Sequence, residues 1–292
     1  MSGPDGARGP VLVVSAHLDD AVLSWGGTIA ALTRQGARVV VLTVFAGCDG
    51  DPMPPFAELY HSWWRAAATD AAGEASAAGA PGVPGAAADT AAAGMRLRRA
   101  EDVRACAALG AEHAHLDFTD ALYRRTADGS PRCVVGEDLF SAPGTDDVAL
   151  EKAVAGELGG WIARLAPVEV HAPAAVGGHL DHVLTARACA SALRDAASTP
   201  RARWYEDLPY ALEPAAEPSE PASAARGRPA VSPLTGEDCR RKIAAAAAYR
   251  SQHPMLWDDD WPDRLLAHAR EAGGGTPGER HWEAAPGPNG DH

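Results

Sequence analysis

Lysine is almost missing. Lys152 and Lys242 are the only two in 292 residues, and all cationic side chains together number 26 against 39 acidic ones, a formal net charge of −13. Gripping a phosphate backbone needs a cationic surface, so nucleic acid is set aside as a partner. Cysteine is scarce and scattered: Cys48, Cys106, Cys133, Cys189 and Cys239 include no CxxC pair. An odd, dispersed set supports neither a disulfide framework nor a thiolate zinc site. No apolar run nears the roughly 20 residues of a membrane span. The opening MSGPDGARGP also lacks the apolar core of a secretion signal. The expectation is therefore a soluble, cytoplasmic protein without a membrane partner; composition does not specify an oligomeric state. A G-x-G-x-x-G dinucleotide fingerprint is absent too, because SWGGT comes too late and inside a helix. That disfavours a nucleotide-binding protein.

What is present is a large apolar fraction, 46%, in a length that suits one domain over residues 1–292. Two valine-rich runs, Val11 to Ala16 and Arg38 to Gly47, are too short for helices and read as buried parallel strands. Between them, Val22, Trp25, Ile29 and Leu32 recur at helical spacing, and Gly36 supplies a stop. That βαβ unit implies a right-handed crossover and a doubly wound, mostly parallel sheet in an α/β/α sandwich. Leu97 to Ala111 reads as a helix with Ala100, Val103, Ala107 and Leu109 inward, followed by a strand from His113 to Phe118. The segment ALEKAVAGELGGWIARL is a helix leading to a strand at Val168 to Pro173. His182 to Leu193 is helical, ARWYEDL a strand, and GEDCRRKIAAAAAYRSQ one long helix. Residues 69–94, 213–235 and 271–292 carry little bulky apolar surface to offset ordering entropy, and are expected to be mobile.

Two clusters carry chemistry. SAHLDDA places His17, Asp19 and Asp20 just past the first strand, and GGHLDH places His179, Asp181 and His182 just past the strand VEVHAP. Taken singly, the first reads as a helix N-cap and the second as a surface turn. Taken together, both fall at the carboxyl ends of parallel strands, where one rim of one sheet brings them together. Two imidazoles plus a carboxylate form a standard hydrolytic zinc set with a fourth position left for water. An aspartate, a histidine and a second aspartate then remain for proton transfer.

AHLDDA with GGHLDH resembles the AHPDDE and HxDH motifs of the PIG-L/LmbE-like zinc-dependent N-deacetylases. TVFAG, RRAEDVRACAALGA, LDFTDALYR, YEDLPYA, KIAAAAAYRSQ and GERHW follow in the family's order. The resemblance implies that His17, Asp20 and His182 bind Zn2+ (or another divalent metal such as Fe2+). It implies Asp19 as general base, His179 as oxyanion donor or acid toward the leaving amine, and Asp181 as the carboxylate orienting His179. Arg98 would contact substrate, with an intrahelical pair to Glu101 as the plain alternative. Asp120 would accept from sugar hydroxyls, or merely cap a turn. Leu18 and Ala21 replace the family's proline and glutamate, which bears on loop rigidity and substrate preference.

The expected activity is removal of an acetyl or small acyl group from an amino sugar or sugar-containing metabolite. A bias toward Arg, Ala, Gly and Pro suits a GC-rich host and a place in secondary metabolism. An amidase of thiol-sugar conjugates is one alternative; a catalytically weakened, metal-dependent sugar-binding protein is another. FAELYHSWWRA puts His61, Trp63 and Trp64 after the second strand, as core or as a stacking surface. WYEDLPYA (Trp204 to Ala211) either approaches the pocket or, as the plainer reading, is strand packing, and His253, His268 and His281 read as surface or core histidines.

Overall fold

The computed structural model describes residues 9–77, 90–212, 229–256 and 260–283. In chain order the elements are β1 (Val11–Ser15), α1 (Asp20–Arg34), β2 (Val39–Thr43), α2 (Pro55–Ala77), α3 (Ala91–Leu109), β3 (Glu112–His115), α4 (Asp147–Leu165) and β4 (Glu169–Pro173). Then follow α5 (Leu180–Asp195), β5 (Arg201–Tyr205), β6 (Pro229–Pro233), α6 (Gly236–Ala246), α7 (His253–Leu256), α8 (Trp261–Ala272) and β7 (Gly278–Glu283). Seven strands form one sheet in the order β3-β2-β1-β4-β5-β7-β6. The first five pair in parallel and the last two join antiparallel, so the doubly wound α/β fold is observed.

The period of two in a strand sorts the apolar side chains to two faces. Leu12, Val14, Val40 and Leu42 pack beneath α4 and α5, whereas Val11, Val13, Val39 and Val41 pack against α1, α3 and α6. Each such wholly buried valine or leucine contributes about 1.5–3 kcal/mol. Trp25 lies on α1 without exposed surface, and its Nε1 donates to His171 Nδ1 at 2.8 Å. Gly36, at φ +82, closes α1 in the left-handed region.

Five expectations are corrected. Residues 69–77 continue α2 and residues 91–94 begin α3, because alanine keeps a helix going without bulky apolar surface; 78–89 lie outside the described residues. Residues 229–233 form edge strand β6, with prolines at its ends where a missing N–H costs no ladder bond; 213–228 lie outside the described residues. Residues 271–272 end α8, and 278–283 form β7, whose Trp282 pairs opposite Trp204 of β5. The last helix of the sequence reading stops at Ala246, because Tyr249 and Ser251 turn away to Asp102 and Glu101 of α3. The inward face of α3 is also different: Arg98, Glu101, Asp102, Ala105 and Cys106 are buried, while Val103 is 37% exposed.

Candidate active site

Strand order reverses between β1 and β4, and a ligand crevice is expected beyond the strand ends at that switch. Both sequence clusters open there. Past β1, Ser15 Oγ donates to the His17 carbonyl at 2.6 Å and accepts from Ala21 N–H at 3.0 Å, which turns the chain into α1. Asp20 folds back so that its Oδ2 accepts from His17 N–H at 2.7 Å. That oxygen lies 3.2 Å from His17 Nδ1 and 3.1 Å from His182 Nε2, so three expected ligands converge on one point. Leu18 and Ala21, the two departures in the motif, point into the apolar cores and away from this point.

Past β4, Gly177 and Gly178 take φ values of +81 and +75 that favour glycine. A Cβ on Gly177 would sit 2.5 Å from Tyr210 Cβ, so the loop must be bare for that ring to pack there. His179 then caps α5, its Nδ1 accepting from Asp181 N–H at 3.3 Å. This contact leaves the proton on Nε2. Burial, with His17 and His182 close by, holds the His179 pKa well below its ordinary value, so the ring is a neutral donor.

His182 has no exposed surface, and its Nδ1 faces Asp207 Oδ1 at 2.6 Å. With Nδ1 turned to Asp207, Nε2 is the nitrogen left to ligate, and that buried atom makes no hydrogen bond of ordinary geometry, lying 3.1 Å from Asp20 Oδ2. A buried nitrogen so placed, aimed at a carboxylate oxygen and a second imidazole, fits a divalent cation. The nitrogens of His17, His179 and His182 also lie within 4.8 Å of one another, as do ligand atoms of His17, Asp120 and Asp181. Asp20 is the better third ligand, because Asp181 is already engaged. Its Oδ2 faces His17 Nε2 at 3.1 Å and accepts from Ala121 N–H at 2.9 Å, while Oδ1 pairs with Arg124 at 2.5 Å. Burial would raise its pKa, but Arg124 and His17 hold it below the usual carboxylate range. The Asp181 carboxylate therefore faces His17, while His179 meets the backbone N–H of Asp181, which differs from the side-chain contact with His179 expected of it.

Asp19 is buried at the start of α1, with Oδ1 3.3 Å from Arg98 Nη2. Burial and the neighbouring Asp20 push its pKa up to about 6, and Arg98 and the imidazoles of His17 and His182 pull the other way. Arg98 Nη1 also donates to Asp120 Oδ2 at 3.3 Å. Its pair with Glu101 does not form, since Glu101 accepts from Ser251. Asp120 caps a turn, its Oδ1 accepting from Leu122 N–H at 3.0 Å, and it also lines the cavity.

That cavity encloses about 520 Å³ and is lined by His17, Asp19, Asp20, Arg98, Asp120 and His179 together with Tyr60, Trp63, Leu139, Phe140 and Tyr210. Of the aromatic stretch after β2, Trp63 is at the cavity surface, whereas His61 is buried with its Nε2 2.7 Å from Tyr123 Oη. Phe140 and Gln252 escaped the sequence reading, and Asp207 and Tyr210 were not singled out within WYEDLPYA. The signal for Asp207 was its place just past β5 on the same rim.

Comparison with known proteins agrees with this geometry. The PIG-L family, described as GlcNAc-PI de-N-acetylase, matches residues 12–193. A 2'-N-acetylparomamine deacetylase of Streptomyces fradiae is 32% identical over 288 residues, 94% of this chain and 85% of its own length. The crystal structure of a deacetylase–bog complex from the teicoplanin biosynthesis pathway superposes with a TM-score of 0.76 at 31% identity, covering 96% of this chain and 99% of that one. The zinc-inhibited form of the teicoplanin deacetylase Orf2 gives 0.75 at 30% identity, with the same 96% and 99% coverage.

Proposed function

The chain belongs to the PIG-L, GlcNAc-PI de-N-acetylase, family, and from that premise we propose that it is a zinc-dependent deacetylase of N-acetylated amino sugars in secondary metabolism. The observation that carries the reading is the convergence of His17, Asp20 and His182, with Nε2 of His182, which makes no hydrogen bond of ordinary geometry, at its centre. These three residues would hold a divalent cation, which would supply Lewis acidity toward an amide carbonyl and a water. Asp19 is the general base: it is ionised at neutral pH and stands beside the ligand set, so it takes the proton of the attacking water. His179 donates its Nε2 proton as a hydrogen bond to the oxygen that gains charge in the tetrahedral state. Asp181 and Asp207 hold the two ligating imidazoles in the tautomers that turn a lone pair toward Asp20.

The sugar enters the cavity between Trp63, Phe140 and Tyr210, whose faces suit the apolar side of a pyranose ring. At about 520 Å³ the space is that of a small-molecule site, within the usual range of roughly 300–1,000 Å³. An acetylated pseudodisaccharide such as N-acetylparomamine therefore fits this reading better than the aglycone of a glycopeptide, which would stay outside. No helix among the described residues is long and apolar enough to cross a membrane.

The test is metal content together with amine release from N-acetylparomamine and N-acetylglucosamine, at one equivalent of zinc, cobalt or ferrous iron, since a relative exists in a zinc-inhibited form. We expect one cation per chain and turnover. Asp19→Asn should keep the cation and lose turnover by roughly 10²–10⁴-fold, whereas Asp20→Asn should lose both. Equal metal loss in the two variants would reverse their roles, and a protein that neither binds a cation nor releases amine would sink the reading.

A further inference from the structure

Arg98 is an arginine with almost no access to water, 5% exposed, and so its donors must be met by protein. Of its three nitrogens, Nη2 and Nη1 donate to Asp19 and Asp120. The third, Nε, faces the side-chain amide of Gln252. With its oxygen on that side, Gln252 accepts from Arg98 Nε and from Trp64 Nε1, each 3.2 Å away. Both nitrogens can only donate, so the oxygen belongs there. Trp64 underlies the group as well: Arg98 Cζ is 5.2 Å from its ring centroid. The guanidinium is thus fixed on three edges and one face.

Gln252 is itself held firmly. It is buried in the turn after α6, and its N–H donates to the Tyr249 carbonyl at 2.9 Å. The preceding Ser251 clips that turn to α3 through the Glu101 carboxylate, by N–H at 3.0 Å and by Oγ at 2.5 Å. Tyr249 Oη donates to Asp102 of the same helix at 2.7 Å. The early end of α6 exists to make these contacts, and their product is one amide oxygen behind Arg98.

We propose that Gln252 is a positioning residue for deacetylation, fixing through Nε the plane of the Arg98 guanidinium and thereby the carboxylate of Asp19. A guanidinium released at Nε can rotate toward the cavity and its water, and the Asp19 oxygen then loses its fixed partner. Misplacement of a catalytic group by about 1 Å costs on the order of 10²-fold in rate. The inference rests on Asp19 being the general base, and it concerns aim, not charge: Gln252 is neutral.

The test uses the full-length, metal-loaded enzyme and two variants, Gln252→Met, which removes the acceptor, and Gln252→Asn, which withdraws it by one methylene. Each should keep one cation per chain and lose about 10–100-fold in kcat, with KM within about threefold. A second readout needs no activity. The 15N-resolved Nε–H signal of Arg98, assigned by its loss in Arg98→Lys, should exchange slowly with solvent in the parent protein and at least about tenfold faster in both variants. A folded variant that keeps kcat within about twofold, or keeps the slow signal, overturns the proposal. So does a higher KM at constant kcat, which would make Gln252 a substrate contact. Should the parent protein release no amine, the deacetylase reading falls, while the exchange measurement still decides what Gln252 holds.

Discussion

His182 has two ring nitrogens, and each faces a carboxylate: Asp20 at Nε2 and Asp207 at Nδ1. Burial would strip the ring of its extra proton, but Asp20 and Asp207 together raise its pKa to about 9. To ligate a cation the ring must give up the proton on Nε2, so cation and proton compete for one lone pair. Asp207 decides which nitrogen stays protonated, and its other oxygen is pinned by Val176 N–H at 2.9 Å. Asp207→Asn should therefore weaken zinc binding about 10–100-fold, measured by competition with a chromophoric chelator, without unfolding the protein. Unchanged affinity would mean that the pair is only packing. His17, Asp19, Asp20, His179, Asp181 and His182 were legible because each trio follows a strand as a dense polar word in an apolar context. Asp207, beside Glu206, and Gln252, between Ser251 and His253, form no such cluster, and nothing in a linear sequence says which ring or guanidinium such a side chain meets. The spacing of HLDH likewise could not tell that the Asp181 carboxylate reaches His17, 164 residues away, instead of its neighbour two positions back.

At the scale of elements, α3 is where pattern and structure part. Apolar spacing points Ala100, Val103 and Ala107 inward, but the helix turns that side outward and buries Arg98, Glu101 and Asp102. A polar face goes inside only when each group finds a partner, and the turn after α6 supplies them. The long helix read from GEDCRRKIAAAAAYRSQ had to break for the same reason, and helical propensity alone carries no trace of that demand. β1, α1, β2 and β4, by contrast, were read within a residue or two at most ends, since their hydrophobic period and their environment agree. The polar join between α3 and the turn has a measurable cost. Burial pushes the Glu101 pKa up to about 7, against the bonds from Ser251 and the attraction of Arg98. A carboxyl whose pKa is raised on folding adds stability fully present below its unfolded value near 4.5, and this is lost as pH rises through about 7. The loss amounts to roughly 3 kcal/mol, at about 1.4 kcal/mol per tenfold change in proton affinity. Glu101→Gln keeps an acceptor for Ser251 and removes the titration. Urea unfolding at pH 5, 6, 7 and 8 should show the variant gaining on the parent as pH rises, by most of that amount. Parallel curves would place the ionisation elsewhere.

For the whole molecule, the strand order fixes where the two motifs meet and the net charge fixes what approaches them. Parallel strands β1 and β4 lie side by side because the chain first builds β2 and β3 to one side and then returns for β4 and β5 on the other. His17 and His182 thus leave adjacent strands at the same end, although 165 positions separate them in sequence. The acidic balance that sets nucleic acid aside has a positive meaning here. Asp19, Asp20, Asp120 and Glu137 line the cavity, and Arg98, the single arginine among its described walls, is held by two of them. With −13 on the whole chain, the surrounding field draws ammonium groups toward the opening. Amino sugars with several free amines should therefore be captured faster than neutral ones, and the advantage should be lost as the Debye length shrinks from about 30 Å at 0.01 M salt to about 10 Å at 0.1 M. Raising sodium chloride from about 20 to about 300 mM should lower kcat/KM for N-acetylparomamine several-fold, through KM, and leave that for N-acetylglucosamine within about twofold. Equal losses for both substrates would assign the salt effect to the protein or its cation, and the acidic surface would then have no part in choosing the substrate.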